Sequence, residues 1–305
     1  MKIIAIVVTF NGFQWYDRCF GSLRNSKTPI ETVVVDNASS DNTVEYIKER
    51  FPETVLIENK QNLGFGKSNN LGIRYAMDHG ADFVFLLNQD AWIAPDTISK
   101  LVEVAQTHPE YGILSPIHLN AEKNGIEHLL LGRLDDYRTT DPALFEDMYF
   151  GRLQEVYETS YVNAAAWLLP RKTLETVGGF DPLFFVYGED DNYLNRARYH
   201  GLKVGICPLI KVVHDNNRPR PLYESREHEV LMMIDYTDVN KPLRVKQDLR
   251  QHWLKTITSL LKGRRVVAKQ HYADYRWLKQ HEKALAQSVR VNRERGLNWL
   301  NMDAQ

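Results

Sequence analysis

KIIAIVVTFNGFQWYDRCFGSLRNSKTPIETVVVDNASSDNT, residues 2–43, decides the fold. It opens and closes on short β-branched runs, residues 2–9 and 31–36, separated by a segment of helical polar-apolar spacing over about 14–26. The pattern repeats outward, with strand candidates at 54–58 and 83–88 and helix candidates at 43–51, 67–79 and 95–108. Alternation of this kind predicts an α/β fold: a mostly parallel central sheet, Rossmann-like, flanked by helices on both faces. Ligands of such sheets gather at the carboxyl ends of the strands. Polar clusters stand at three of those ends: Thr9-Phe10-Asn11, Asp36-Asn37-Ala38-Ser39-Ser40-Asp41-Asn42-Thr43, and Asn88-Gln89-Asp90.

The chain has 305 residues, which at ~150 residues per domain suggests two units. Lys plus Arg number 38 against 39 Asp plus Glu, and the net charge of -1 speaks against nucleic acid as a partner. Cys19 and Cys207 match no metal-ligand spacing and fit a reducing, cytoplasmic compartment, both as buried small apolar residues. The first residues faintly imitate a signal peptide, but Asn11, Gln14, Asp17 and Arg18 interrupt the apolar run and no small-residue cleavage site follows, so a buried strand is expected. No stretch approaches the ~18 apolar residues of a membrane span, which predicts a soluble or peripheral chain.

Charge is unevenly spread. Residues 241–305 hold 15 Lys plus Arg against 5 Asp plus Glu, and the rest of the chain is correspondingly acidic. This divides the sequence into a main unit, 1–240, and a basic helical hairpin, 241–305. Pro242 and Gly263 bracket one helix, and Gly296 closes a second that begins near Arg264. Leu243, Leu249, Trp253, Ile257 and Leu260 form an apolar stripe on the first, and Val267, Tyr275, Leu278, Leu285 and Val289 on the second. Two compatible readings stand: a hairpin docked on the main unit, and a basic surface resting on anionic lipid or an acidic partner. A homodimer through these helices is a further alternative.

At the strand ends, Asp36 is placed to accept from the ring N-H of a nucleobase, or to serve as a turn residue satisfied by backbone amides. Asp41 reads as a helix N-cap. Asn62-Leu63-Gly64-Phe65-Gly66 precedes a helix whose first turn carries Ser68, Asn69 and Asn70, so that backbone can approach phosphate or ribose, although neither a Walker loop nor a GxGxxG fingerprint is present. Asp90, leaving a buried strand two residues after Asn88, suits an oxygen-loving divalent cation on a diphosphate. Trp167 reads as core packing, with a ring face open to stacking on a ligand as the alternative, and residues 120–160, with Asp135, Asp136, Asp141, Glu146, Asp147, Tyr137, Tyr149 and Phe150, as an acidic, aromatic insertion.

Together, Val7-Val8-Thr9-Phe10-Asn11-Gly12, the Asp36-to-Asp41 turn, Asn62-Leu63-Gly64-Phe65-Gly66, Leu86-Leu87-Asn88-Gln89-Asp90, Val177-Gly178-Gly179-Phe180-Asp181 and Phe184-Phe185-Val186-Tyr187-Gly188-Glu189-Asp190-Asp191, followed by Asn195-Arg196 and His214, resemble glycosyltransferase family 2, the inverting enzymes of GT-A fold. The resemblance covers about residues 1–220 and is nearest to the rhamnosyltransferase-like branch of bacterial surface-polysaccharide enzymes; it implies, within the main unit, a nucleotide-binding part over about 1–118 and an acceptor and catalytic part over about 119–240, with acceptor recognition in the 120–160 insertion. It implies transfer of a sugar from a nucleoside-diphosphate donor, UDP- or dTDP-linked, to a hydroxyl of a glycan or lipid-linked acceptor at the inner face of the cytoplasmic membrane.

The same resemblance implies residue roles. Thr9, Asn11 and Asp36 would hold the base, with Asn62, Gly64 and Asn69 near the ribose, and Asn88 beside the diphosphate. Asp90 would bind Mg²⁺ or Mn²⁺ with His214, and Asn88 stands where the family often has a first Asp. Asp190 matches the catalytic base, supported by Glu189 and Asp191; Asn192 occupies a position where many relatives carry a further acid. Partial burial of Asp190 beside Glu189 and Asp191 is expected to raise its pKa toward the range useful to a base. Without the resemblance, the acidic triplet also reads as a helix N-terminal turn, and His214 as an ordinary part-buried histidine. Arg218 and Arg220, in a loop stiffened by Pro219 and Pro221, would clamp the diphosphate or lie in a solvated loop. A non-catalytic nucleotide-sugar-binding scaffold subunit is the alternative function. A dinucleotide oxidoreductase is excluded by the lack of a glycine-rich turn after the first strand.

Overall fold

The structure, a computed structural model, describes residues 1–134, 140–216 and 221–300. The chain begins β1 (Ile3–Thr9), α1 (Tyr16–Arg24), β2 (Glu31–Asp36), α2 (Thr43–Arg50), β3 (Val55–Glu58), α3 (Phe65–Asp78), β4 (Phe83–Asn88), β5 (Ala91–Ile93), α4 (Thr97–Thr107) and β6 (Tyr111–Leu119). It continues through α5 (His128–Leu134), α6 (Ala143–Tyr149), β7 (Tyr157–Glu158), β8 (Ala166–Pro170), α7 (Arg171–Val177), α8 (Glu189–Tyr199) and β9 (Lys203–His214). Three helices finish it: α9 (Pro221–Thr237), α10 (Val245–Leu261) and α11 (Arg265–Asn292).

All strands join one sheet, ordered β3-β2-β1-β4-β8-β6-β9-β5, with β7 also paired to β9. β1 lies parallel to β2 and β4, and β2 parallel to β3, as the alternating first half predicts. Beyond β4 the pairing is mixed: β8 runs antiparallel to β4 and β6, and β5 and β7 antiparallel to β9. The cause is where the chain re-enters. β4 and β6 end at the same edge of the sheet, and β8, antiparallel to both, starts there and runs back down; a parallel strand would have to enter from the opposite edge.

Strand periodicity sorts the apolar residues onto two faces. Ile4, Ile6, Val33, Val35, Val84 and Leu86 join one buried cluster with Ile73 of α3, Leu174 of α7 and Leu194 of α8. Their neighbours Ile3, Ala5, Val7, Val34, Phe85 and Leu87 pack with Phe20 of α1 and Leu101 of α4. Trp167 sits in the first cluster, stacked on Phe180 at 6.1 Å, so its role is packing. Cys19 and Cys207 are both free and buried.

The basic segment forms two helices, with bounds trimmed from those expected. α10 starts at Val245, leaving Pro242 in the preceding turn, and Gly263 takes the left-handed φ of 69° between the helices. α11 packs on α9 through Leu278 and Leu285 against Met232 and Tyr236. Asp181 ties the far end down: its Oδ2 accepts from Ser288 Oγ at 2.5 Å and Asn292 Nδ2 at 2.7 Å. Leu300 then enters the main core. The stripe on α10 is only partly covered: Leu249 joins Val245 in the apolar cluster with α9 and α11 and the Trp253 ring lies 5.4 Å from that of Tyr275, but Trp253, Ile257 and Leu260 remain exposed, because the buried side of α10 in this stretch carries Thr256 and Ser259.

Candidate active site

Three adjacent strand ends build a polar rim. The register pairs Thr9 with Asp36 and Val8 with Asn88, which brings the tips of β1, β2 and β4 together. Asp36 is buried there, its Oδ1 accepting from Thr9 Oγ1 at 3.0 Å and Ser39 Oγ at 2.6 Å, and its Oδ2 from the Ser39 N-H at 2.9 Å. Asn11, at a left-handed φ of 48°, accepts from the Ser40 N-H with its Oδ1 at 2.8 Å, locking the β1 and β2 loops to each other. Short polar side chains tolerate this conformation, which is why an Asn ends the strand.

Asn62 shapes the glycine loop from within: its Oδ1 accepts from the Gly64 N-H at 2.9 Å and from Asn37 Nδ2 at 2.8 Å. Gly64 has φ 84°, and a Cβ there would lie 2.0 Å from the Phe185 carbonyl oxygen. The close backbone approach read from this glycine is therefore to the chain's own Phe185, which also accepts from the Phe65 N-H at 3.1 Å. Asn69 stands apart from the rim, buried in α3 with its Nδ2 donating to Phe65 O at 3.1 Å.

Beside the rim opens a cavity of about 430 Å³, lined by Asn88, Asp90 and His214 on one wall and by Glu189, Asp190 and Asp191 with Tyr161, Asn163 and Ala164 on the other. Six of the residues picked out from the sequence thus share one space. β5 explains the first wall: its antiparallel pairing puts Ala91 opposite His214, so His214 comes level with Asp90. His214 Nε2 lies 3.5 Å from Asp90 Oδ1 and 3.5 Å from Asn88 Nδ2. Behind it are buried His118 and Glu127, with potential ligand atoms of the three within 4.8 Å of one another.

The second wall is the first turn of α8. Tyr187 and Gly188 both take positive φ, 69° and 89°, and this reversal turns the acidic triplet into the cavity. A non-glycine residue held there stores strain, which clusters at functional sites. The helix itself is anchored by Arg196, fully buried, which donates to the carbonyls of Gly179 and Val177, and by Tyr193, whose hydroxyl donates to Gly178 O at 3.0 Å. Asn192 faces away from the cavity and donates to Thr237 Oγ1 at 3.2 Å, so within the cavity the acid after Asp190 is Asp191.

Burial, then the adjacent Asp190 charge, pushes the Glu189 carboxyl up to about 8. The shift expected of Asp190 is thus found on its neighbour: burial leaves Glu189 the protonated carboxyl of the triplet at neutral pH. Asp190 Oδ1 accepts from the Asp191 N-H at 3.0 Å, and its Oδ2 from Tyr161 Oη at 3.0 Å. Tyr161 was not legible as a site residue; its only sequence signal is its place just before the Asn163-Ala164-Ala165 run. Nor were His118 and Glu127, which stand nine residues apart in unremarkable polar surroundings. Arg218 and Arg220, and Asp135, Asp136 and Tyr137 of the insertion, lie outside the described residues.

Comparison with known proteins matches residues 4–175 to the glycosyl transferase family 2 profile. The chain is 26% identical over 201 residues to a low-salt glycan biosynthesis hexosyltransferase of Haloferax volcanii, covering 64% of this chain and 62% of that protein. It is 25% identical over 232 residues to an N-acetylglucosaminyl-diphospho-decaprenol L-rhamnosyltransferase of Mycobacterium tuberculosis, covering 69% and 75%. Among solved structures, TarS 1–349 of S. aureus in complex with UDP-GlcNAc superposes with a TM-score of 0.58 at 14% identity, over 96% of this chain and 90% of that one. The likeness extends to the fold as a whole: a GT-A-type mixed sheet flanked by helices, with helices following at the C-terminal side.

Proposed function

The chain belongs to glycosyl transferase family 2, and on that premise we propose that it transfers a sugar, with inversion, from a UDP- or dTDP-linked donor to a hydroxyl of a glycan or lipid-linked acceptor in polysaccharide synthesis. The observation that carries this reading is the shared cavity: a carboxylate and imidazole 3.5 Å apart on one wall, and the Glu189-Asp190-Asp191 turn on the other.

In this account Thr9, Asn11 and Asp36 grip the nucleoside base, while Asn62, Gly64 and Asn69 hold the shape of the loop that flanks the ribose. The donor set at the first wall, one carboxylate oxygen of Asp90 and Nε2 of His214, suits Mg²⁺ or Mn²⁺ completed by diphosphate oxygens. Such a cation, when bound, neutralises charge on the departing diphosphate. Asp190 takes the proton of the acceptor hydroxyl as its oxygen bonds the anomeric carbon and the bond from that carbon to the diphosphate breaks. Tyr161 and the Asp191 N-H fix the carboxylate, leaving lone pairs for the acceptor. Neutral Glu189 spares Asp190 a second adjacent charge. Arg218 and Arg220 are proposed as a diphosphate clamp from the loop after β9. Exposed Tyr149 and Phe150 after α6 offer the acceptor an aromatic surface.

The hairpin is proposed to meet the anionic inner face of the cytoplasmic membrane, where a lipid-linked acceptor resides. At its tip Leu261 is 83% and Val266 82% exposed, either side of Lys262, Arg264 and Arg265. Apolar residues framed by cations fit a lipid headgroup boundary better than a second copy of the same basic surface. Among the described residues no helix is long and apolar enough to cross a membrane.

Calorimetric titration with UDP, dTDP and GDP, each with Mn²⁺ and with chelator, tests the donor site. Cation-dependent binding of a pyrimidine diphosphate, lost in Asp90→Ala, is the expected result; a folded chain that binds none of them overturns the reading.

A further inference from the structure

A second group of potential metal ligands lies outside the cavity, where α9, α10 and α11 meet. His252 of α10 and His271 and Asp274 of α11 bring one ligand atom each to within 4.8 Å of one another. His271 and Asp274 are three residues apart, so one helical face carries both. The Nδ1 atoms of both histidines are buried, and neither has a hydrogen-bond partner among the described residues. Two neighbouring buried imidazole nitrogens left unsatisfied are costly unless something accepts or bridges them.

The carboxylate between them is oriented from its other side. Asp274 Oδ1 accepts from Gln270 Nε2 at 2.9 Å and pairs with His228 Nε2 of α9 at 2.9 Å, while its Oδ2 stands 3.6 Å from His252 Nδ1, beyond a hydrogen bond. One oxygen is thus fixed by outer partners and the other is directed at the two imidazoles. That is the arrangement of a metal-ligating carboxylate with its supporting shell.

We propose that His252, His271 and Asp274 form a binding site for Zn²⁺, through two imidazole nitrogens and one carboxylate oxygen, with His228 as the outer-shell partner that orients Asp274. Two imidazoles and a carboxylate suit zinc, and three protein ligands leave a fourth tetrahedral position for water. Mg²⁺ is disfavoured by the two nitrogen donors. The ion staples α10 to α11, and through His228 it links both to α9, which contributes Val230, Leu231 and Ile234 to the active-site wall. Zinc therefore braces the helical layer that backs the cavity, without touching the reacting atoms.

The test uses the full chain, carrying no polyhistidine tag and stripped with chelator, titrated with Zn²⁺ by calorimetry and with Co²⁺ by visible absorption. To remove the active-site cation ligands from the readout, the reference is the Asp90→Ala/His214→Ala variant. It is expected to retain one Zn²⁺ per chain, the intense absorption of tetrahedral Co²⁺, and a Tm that rises with zinc. On that background, His252→Ala/His271→Ala should lose all three responses, Asp274→Asn should do so with the carboxylate's volume kept, and His228→Ala should weaken binding ~10-fold. Folded reference protein that takes up no zinc, or zinc uptake unchanged in Asp274→Asn, overturns the proposal and makes the cluster a hydrated polar contact between helices.

Discussion

Replacing Glu189 by Gln should stabilise the protein, and increasingly so as pH rises. The Glu189 carboxyl titrates near 8 in the folded chain against a reference of 4.5. A carboxyl raised on folding keeps its proton longer in the native state than in the unfolded one. Its contribution is therefore most favourable below the unfolded value, and is lost as pH climbs toward the folded one. At ~1.4 kcal/mol per unit, the cost to the wild type grows by roughly 3 kcal/mol between pH 5 and pH 8, an upper figure because the site relaxes when the charge forms. Gln has the shape of the protonated acid and no charge to bury, so it escapes this cost. Urea denaturation of wild type and Glu189→Gln at intervals from pH 5 to 9 measures it, all other titrations cancelling in the difference. The advantage of Gln should be small at pH 5, widen through pH 8 and then level. In an Asp190→Asn background the widening should be shallower, because Asp190 is the second cause of the shift after burial. A stability difference that stays flat with pH would refute the reasoning.

Tyr161→Phe removes the donor to Asp190 Oδ2; kcat should fall about 10-fold, the ~1.4 kcal/mol scale of one hydrogen bond to a charged group, with nucleotide Kd unchanged by calorimetry. Gly64→Ala drives a Cβ toward the Phe185 carbonyl at a positive φ, whereas Gly80, also at positive φ, has open space around it. Thermal unfolding should therefore show a loss of more than ~2 kcal/mol for Gly64→Ala and about 1 kcal/mol for Gly80→Ala. Leu261→Asp/Val266→Asp should cut co-sedimentation with anionic vesicles at least ~10-fold, since two apolar anchors leave the bilayer boundary and two anionic charges arrive. Equal sedimentation of variant and wild type would remove the tip as the anchor.

The first half of the fold was legible because its β-branched runs and turn residues agree with one another at every strand end. β8 and β7 were not, because their direction depends on which edge the chain occupies after a long excursion, and no local pattern records that; β5, three residues long and beginning just after β4, is too short to show an alternation. Asp90, Asp190 and His214 could be found from motif order alone; the meeting of Asp90 with His214 follows from the β5–β9 register, and Asp190 reaches the same cavity through the reversal at Tyr187 and Gly188. Gly64 was recognised as a place of close approach, and the approaching group in the structure is the chain's own Phe185 carbonyl, which no local pattern foretold. Tyr161, His118 and Glu127 carry no pattern of their own; only the fold brings them to Asp190 and His214. The α10 stripe shows the converse. Its helical period was correct, yet only Leu249 of the stripe packs into the cluster with α9 and α11, and Leu243, Trp253, Ile257 and Leu260 meet solvent.

The role of Asp190 is tested most directly by pairing turnover with donor binding in Asp190→Asn, once titration has identified the nucleotide. The account predicts that transfer drops by ~10²–10⁴-fold, the range of a positioned general base, while the cation-dependent Kd for the nucleotide stays within about threefold, a change under ~0.7 kcal/mol. Turnover within tenfold of wild type would contradict the assignment of Asp190 as the base, and with it the account of how this cavity works.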